Sequence, residues 1–146
     1  MTPAEAIANL SDAFNTFERP TEFIRGTCYC AECLEHNQTL ASHNPETITL
    51  AELGNPAWDP MCFASDQAFA YYLPALIRLA FGPDSYLDQL LFHLNTPGRL
   101  NILDEKQARA LLDALWVLIE IKGEEIAANL DESALEQVLE KLEQGL

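Results

Sequence analysis

Apolar residues recur along this chain at intervals of three and four, the period of helices that bury one face. Ile7, Leu10, Phe14 and Phe17 form the first stripe, behind Thr2-Pro3-Ala4-Glu5, a capping box with proline at the first helical position. Arg19-Pro20 is expected to end that helix. A second helix is expected to open at Thr27 or Cys28 and to run to about Ser42, with Leu34 and Leu40 as its meagre apolar content. Thr49-Leu50-Ala51-Glu52 is another capping box, stopped by Gly54 after about a turn and a half.

Asn55-Pro56-Ala57-Trp58-Asp59-Pro60 excludes regular structure. Its prolines fix φ and push Asn55 and Asp59 towards extended geometry, so the loop is stiff. Ser65 then caps a long helix through Phe69, Tyr72, Leu73, Leu76 and Ile77 to Phe81, with Pro74 expected to kink it. Asp84 is expected to cap a helix through Leu87, Leu90, Leu91 and Leu94. Asp104 with Gln107 starts a longer one through Leu111, Leu112, Leu115 and Leu118, weakened at Gly123. Asp131 opens a last amphipathic helix through Leu135, Val138, Leu139 and Leu142. The pattern predicts one all-α domain over residues 1–146: a bundle of five or six main helices, a Cys/His-rich N-terminal segment and a stiff proline-rich loop.

Composition agrees. Leu and Ala number 23 and 19, Val and Ile only 2 and 8, and β-branched residues are what strands would need. Charge adds a second level. There are 23 acidic and 8 basic residues, a net charge of −15, which excludes binding nucleic acid or an anionic membrane through the bulk surface. The surplus is uneven: residues 1–60 and 104–146 each carry a net −7, residues 61–103 a net −1. The charge-poor middle is therefore expected to form the core, wrapped by solvated acidic flanks.

The N-terminus MTPAEAIANL lacks a basic region followed by an apolar one, so no secretory signal is expected. The longest apolar run, residues 68–81, holds 14 residues and includes Pro74 and Arg78. It falls short of the about 20 apolar residues of a membrane span. A cytoplasmic protein with reduced cysteines is expected, unless those cysteines hold metal or do redox work.

Candidate chemistry is concentrated in Cys28-Tyr29-Cys30-Ala31-Glu32-Cys33-Leu34-Glu35-His36. Three thiols and an imidazole at such spacing suit a soft tetrahedral metal site, zinc first, then copper(I) or iron. On a helix, Cys30, Cys33 and His36 fan over about 120°, so sharing one ion requires a turn or an unwound start. Cys28 completes the set of four, with His43, Cys62 and His93 as alternative ligands. A thioredoxin-like reading of Cys30-Ala31-Glu32-Cys33 lacks the βαβ context, and Glu32 and Glu35 oppose thiolate formation. The chain contains no paired Glu-x-x-His motif, H-E-x-x-H, G-x-S-x-G, P-loop or G-x-G-x-x-G.

Other features have plain structural readings. Trp58 is expected to plug the edge of the core and Asp59 to cap the following turn, although the pair also has the chemistry to meet a ligand. Tyr71 and Arg78 share a helix face, and Arg78 is expected to pair with Asp66, Asp84 or Asp88. Asp84, Asp88 and His93 form a weaker metal candidate.

Arg19-Pro20, Cys30-x-x-Cys33-x-x-His36 with Thr39-Leu40, residues 53–60, Tyr71-Tyr72-Leu73-Pro74-Ala75 and Tyr86-Leu87-Asp88-Gln89 together resemble an uncharacterised family of small bacterial proteins of unknown function, over about residues 17–100. The resemblance implies no activity, ligand or functional residue.

The expected function is a non-enzymatic binding or adaptor protein with an unknown protein partner, ordered by zinc on Cys28, Cys30, Cys33 and His36. A metal- or thiol-dependent enzyme with Trp58-Asp59 beside the cluster is one alternative. An acidic inhibitor, neutralising a toxin or mimicking DNA through its flanks, is the other.

Overall fold

A computed structural model describes residues 1–26 and 29–145. The helices are α1 (Pro3–Phe14), α2 (Ala31–Ala41), α3 (Leu50–Leu53), α4 (Asp66–Phe81), α5 (Leu87–Leu94), α6 (Glu105–Ala128) and α7 (Glu132–Gln144). Short 3-10 turns occupy Pro56–Trp58, Pro60–Cys62 and Arg99–Ile102. Among the described residues there is no strand, and an isolated antiparallel bridge joins Ile24 to Ala64. Six of the helices span eight residues or more, so the all-α bundle expected from the apolar period is the fold. No helix among the described residues is long and apolar enough to cross a membrane.

α4 is the centre. Eleven of its 16 residues are buried, and it packs against α1, α5 and α6, while α7 closes over α5 and α6. The charge-poor middle of the chain thus lies at the centre of the core, to which α1, α6 and α7 add their apolar faces. Pro74 is buried within α4, and the helix runs on to Phe81. The break in helical geometry falls instead in α6, at Lys122 (φ −109°, ψ 16°), just before Gly123. Lys122 Nζ donates to Gly82 O at 2.8 Å there.

Caps follow the sequence signals closely. Thr49 with Glu52, and Asp104 with Gln107, form complete capping boxes. Thr2 accepts from the Glu5 N–H at 3.1 Å, while the Glu5 carboxylate meets the Thr2 hydroxyl rather than its backbone.

Several expectations are corrected. α1 ends at Phe14 rather than at Arg19-Pro20, and Arg19 instead reaches across to α2 and α4. α2 begins at Ala31 with Cys30 as its N-cap; Thr27 and Cys28 lie outside the described residues. Leu34 is half exposed, so α2 turns Cys33, His36 and Leu40 inward. Among the described residues Arg78 forms no ion pair with a carboxylate but donates to Pro45 O (3.0 Å) and Ile48 O (3.1 Å), and Tyr71 pairs with Arg19. Asp84 does not cap α5; Ser85 Oγ accepts from the Leu87 N–H. Asp131 stands at the start of α7, but its side chain makes no capping bond.

The segment from α2 to α3 is fastened by polar groups. Arg19 donates to Ala41 O (2.6 Å) and His43 O (2.9 Å), satisfying carbonyls at the end of α2. The Tyr72 hydroxyl lies 2.5 Å from Leu40 O and 2.7 Å from His43 O. Burial pushes that hydroxyl up to about 12, so it remains a donor at neutral pH. With Arg78, these side chains anchor the C-terminal half of α2 and the residues leading from it to α3.

Candidate functional site

Cys30 is the N-cap of α2, in extended backbone (φ −67°, ψ 162°), and its Sγ accepts from the Cys33 N–H at 3.5 Å. Cys30 therefore stands just outside the helix, while Cys33 and His36 lie within it. Cys30 is exposed, whereas Cys33 and His36 are buried. His36 is fully buried, its ring stacked on Phe63 (centroids 4.7 Å apart, 18°) and tilted against Trp58 (4.5 Å, 44°). Neither ring nitrogen has a hydrogen-bond partner among the described residues; Glu32 Oε1 lies 3.5 Å from Nε2. A neutral imidazole carries one donor and one acceptor, and burying both unmet is unfavourable.

The remaining expected ligand, Cys28, lies outside the described residues. Among the described residues, no three or more Cys, His, Asp and Glu side chains are grouped to hold a metal ion. The alternative ligands are engaged elsewhere. His43 Nδ1 faces Glu52 Oε1 at 3.9 Å, and His93 is bonded to Asp59. Cys62 is half-buried in the Pro60–Cys62 turn, where burial, then Asp59, push its thiol up against the pull of Arg99 and Arg25. A thiol held protonated is a poor nucleophile.

The proline-rich loop carries a second cluster. Asp59, 3% exposed, caps the following turn, Oδ1 accepting from the Met61 N–H at 2.9 Å. Its Oδ2 accepts from the Tyr86 hydroxyl (2.5 Å), Gln89 Nε2 (2.9 Å) and His93 Nε2 (2.8 Å). A carboxylate only accepts, so Nε2 of His93 donates to Asp59. Nδ1 has no partner among the described residues. Burial and the adjacent Asp59 charge push the Tyr86 hydroxyl far above its usual range, which keeps it a donor. Gln89 also donates to Leu53 O, tying α3 into the same cluster.

The capping role expected for Asp59 is therefore present, and its other oxygen is the hub of a buried network, leaving no edge for a substrate. Trp58, 38% exposed, covers His36 as the edge plug expected of it. Arg99 was not singled out by sequence reasoning, yet it is buried over the Phe69 ring (4.5 Å) and donates to Met61 O (2.8 Å) and Ala64 O (3.0 Å). Tyr86, Gln89 and His93 were likewise missed as a group. Their spacing of three and four along α5 was the available signal.

No family model matches this chain, and no curated protein or solved structure matches it.

Proposed function

We propose that this chain is a cytoplasmic, non-enzymatic binding or adaptor protein that meets a protein partner. In this reading a Cys/His-bound metal ties its N-terminal third to the helical core. The metal is zinc, with Cys28, Cys30, Cys33 and His36 as ligands. The observation that carries the reading is the His36 imidazole, fully buried with neither nitrogen hydrogen-bonded among the described residues. Such a ring is at ease as a metal ligand. Glu32 Oε1, 3.5 Å from Nε2, suits the carboxylate that orients a ligating imidazole, which leaves Nδ1 for the ion.

Packing supports the same conclusion. Of the buried residues of α2, Leu40 alone is a large aliphatic; the others are Cys33 and His36. A helix so poor in apolar anchors gains most from a cross-link, which is what a structural zinc supplies. The absence of a usable carboxylate at Asp59 weighs against hydrolytic chemistry beside the cluster.

Elemental analysis of protein purified without added metal tests the reading. About one zinc per chain is expected, removed by chelation with a fall in Tm, and lost in Cys33→Ser and His36→Ala. Copper or iron in that place would change the metal and keep the site. Metal-free protein whose Tm ignores chelators would end the proposal. A cobalt-substituted protein with a five-coordinate, water-bearing spectrum would transfer it to the enzyme class.

A further inference from the structure

The outer face of α6 presents an indole to solvent. Trp116 is 50% exposed and lines an open groove of about 300 Å³ together with Met1, Asp113, Val117 and Glu120. A single exposed apolar side chain is ordinary on a protein surface. What sets this one apart is its company. Asp113 stands three residues before it and Glu120 four residues after it, the spacings that bring side chains together on one face of a helix. Among the described residues neither carboxylate forms an ion pair, not even with Arg109, four residues before Asp113. Among the same residues the indole meets no aromatic ring and no cation, whereas Trp58 lies on His36.

An open indole between two unpaired carboxylates is complementary to one kind of side chain. The ring attracts a cation over its face, tryptophan more than any other residue. Arginine combines a flat cation that stacks on a ring with a fork of N–H donors that fits carboxylates. We propose that this groove is the docking point of the protein partner, entered by an arginine of a basic segment, its guanidinium on the Trp116 ring and its N–H groups shared between Asp113 and Glu120. Such docking presupposes a protein partner for the chain but not its zinc, because α6 supplies none of the proposed zinc ligands. The wider charge points the same way. Residues 104–146 carry a net −7, a field that draws in a basic segment and turns away an acidic one. Charge alone would hold that segment anywhere on the acidic surface, and the indole gives it one place. A second copy of the chain, itself at −15, is repelled.

The probe is the acetylated, amidated peptide Gly-Arg-Arg-Gly, titrated into the full chain at low ionic strength. The readouts are the two indole N–H resonances, assigned by the one missing from Trp116→Leu, and the Kd from calorimetry. A saturable shift of the Trp116 indole with the Trp58 indole unmoved is expected, and weaker binding of Gly-Lys-Lys-Gly. The Kd is expected to rise about tenfold in Trp116→Leu and in the double variant Asp113→Asn/Glu120→Gln. It is expected to change less than about twofold in Glu136→Gln/Glu140→Gln, which removes the same charge from exposed positions of α7. An unmoved Trp116 indole, an unchanged Kd in Trp116→Leu, or equal weakening in the two double variants would each overturn the proposal. Equal affinity for the lysine peptide would overturn arginine as the occupant. A wild-type dimer in sedimentation that Trp116→Leu dissolves would give the groove to a second copy instead. Zinc content is measured on the same samples. Zinc present without a peptide shift defeats the docking alone, and docking on a zinc-free chain defeats the metal alone.

Discussion

Trp58 and Asp59 are neighbours in the chain whose side chains engage opposite partners. The indole lies against the buried His36 ring on α2, while the carboxylate receives Tyr86, Gln89 and His93 from α5. Extended backbone at Asp59 (φ −95°, ψ 112°) between two prolines sets this divergence, because successive side chains of extended chain point apart. The loop is thereby a strut between the candidate metal segment and the core.

Asp59→Asn tests the strut from the core side. The variant keeps the size of the side chain but turns one acceptor into a donor among donors, in a site buried from solvent. A loss of about 2–4 kcal/mol in urea unfolding is expected, with a smaller loss of about 1–2 for Tyr86→Phe. A double-mutant cycle between them is expected to show coupling of about 0.5–3 kcal/mol. Additive losses would mean that the hydroxyl and the carboxylate act separately.

Trp58→Ala tests the strut from the other side. Removing a partly exposed indole costs about 1–3 kcal/mol of burial and opens the face of His36 to solvent. Carbethoxylation of His36 by diethyl pyrocarbonate is expected to be slow in the wild type and at least tenfold faster in the variant. Equal rates would show that Phe63 and the helix alone shield the ring.

The contrast between what could be read and what could not has a physical origin. Capping boxes and apolar stripes are local, so the helices from Thr49 and Asp104 begin where their signals lie. Long side chains that cross the fold are not local. Arg78 reaches backbone carbonyls rather than an acid, because the 45–48 segment crosses α4 with carbonyls no helix satisfies. Asp131 reads as a cap from its position, yet the left-handed residue before it turns its carboxylate towards Asp88. For the Cys/His cluster, spacing named the residues, but the burial of His36 and the exposure of Cys30 depend on how α2 rolls against the loop.

Asp131 predicts a pH dependence of definite sign. Burial, then a hydrogen bond with Asp88 from α5 and the charges of Asp88 and of Glu125 from α6, push the Asp131 carboxyl up to about 6 from an ordinary 3.8. Between those values the native chain holds a proton that the unfolded chain has released. The contribution is therefore full below about 4 and is lost as pH rises through about 6. The stability difference between wild type and Asp131→Asn is expected to move against the wild type over that interval. A difference constant from pH 4 to 7 would show that Asp131 is not shifted.

Leu130 offers the last prediction, at the junction that places Asp131. The end of α6 is a Schellman motif: Asp131 N–H donates to Ile126 O (3.0 Å) and Leu130 N–H to Ala127 O (3.2 Å). Leu130 takes the left-handed position usually given to glycine, at φ 58°, and its side chain is 86% exposed. It pays the Cβ clash of that conformation, about 1 kcal/mol, and recovers little by burial. Leu130→Gly relieves the clash while loosening the unfolded chain, so a net gain of about 0.5 kcal/mol is expected in urea unfolding. Leu130→Val, branched at Cβ, is expected to lose about 1 kcal/mol instead. If glycine destabilises the chain as valine does, the exposed leucine is held by a contact beyond the backbone turn, and the surface beside Asp88 and Asp131 becomes the place to look for it.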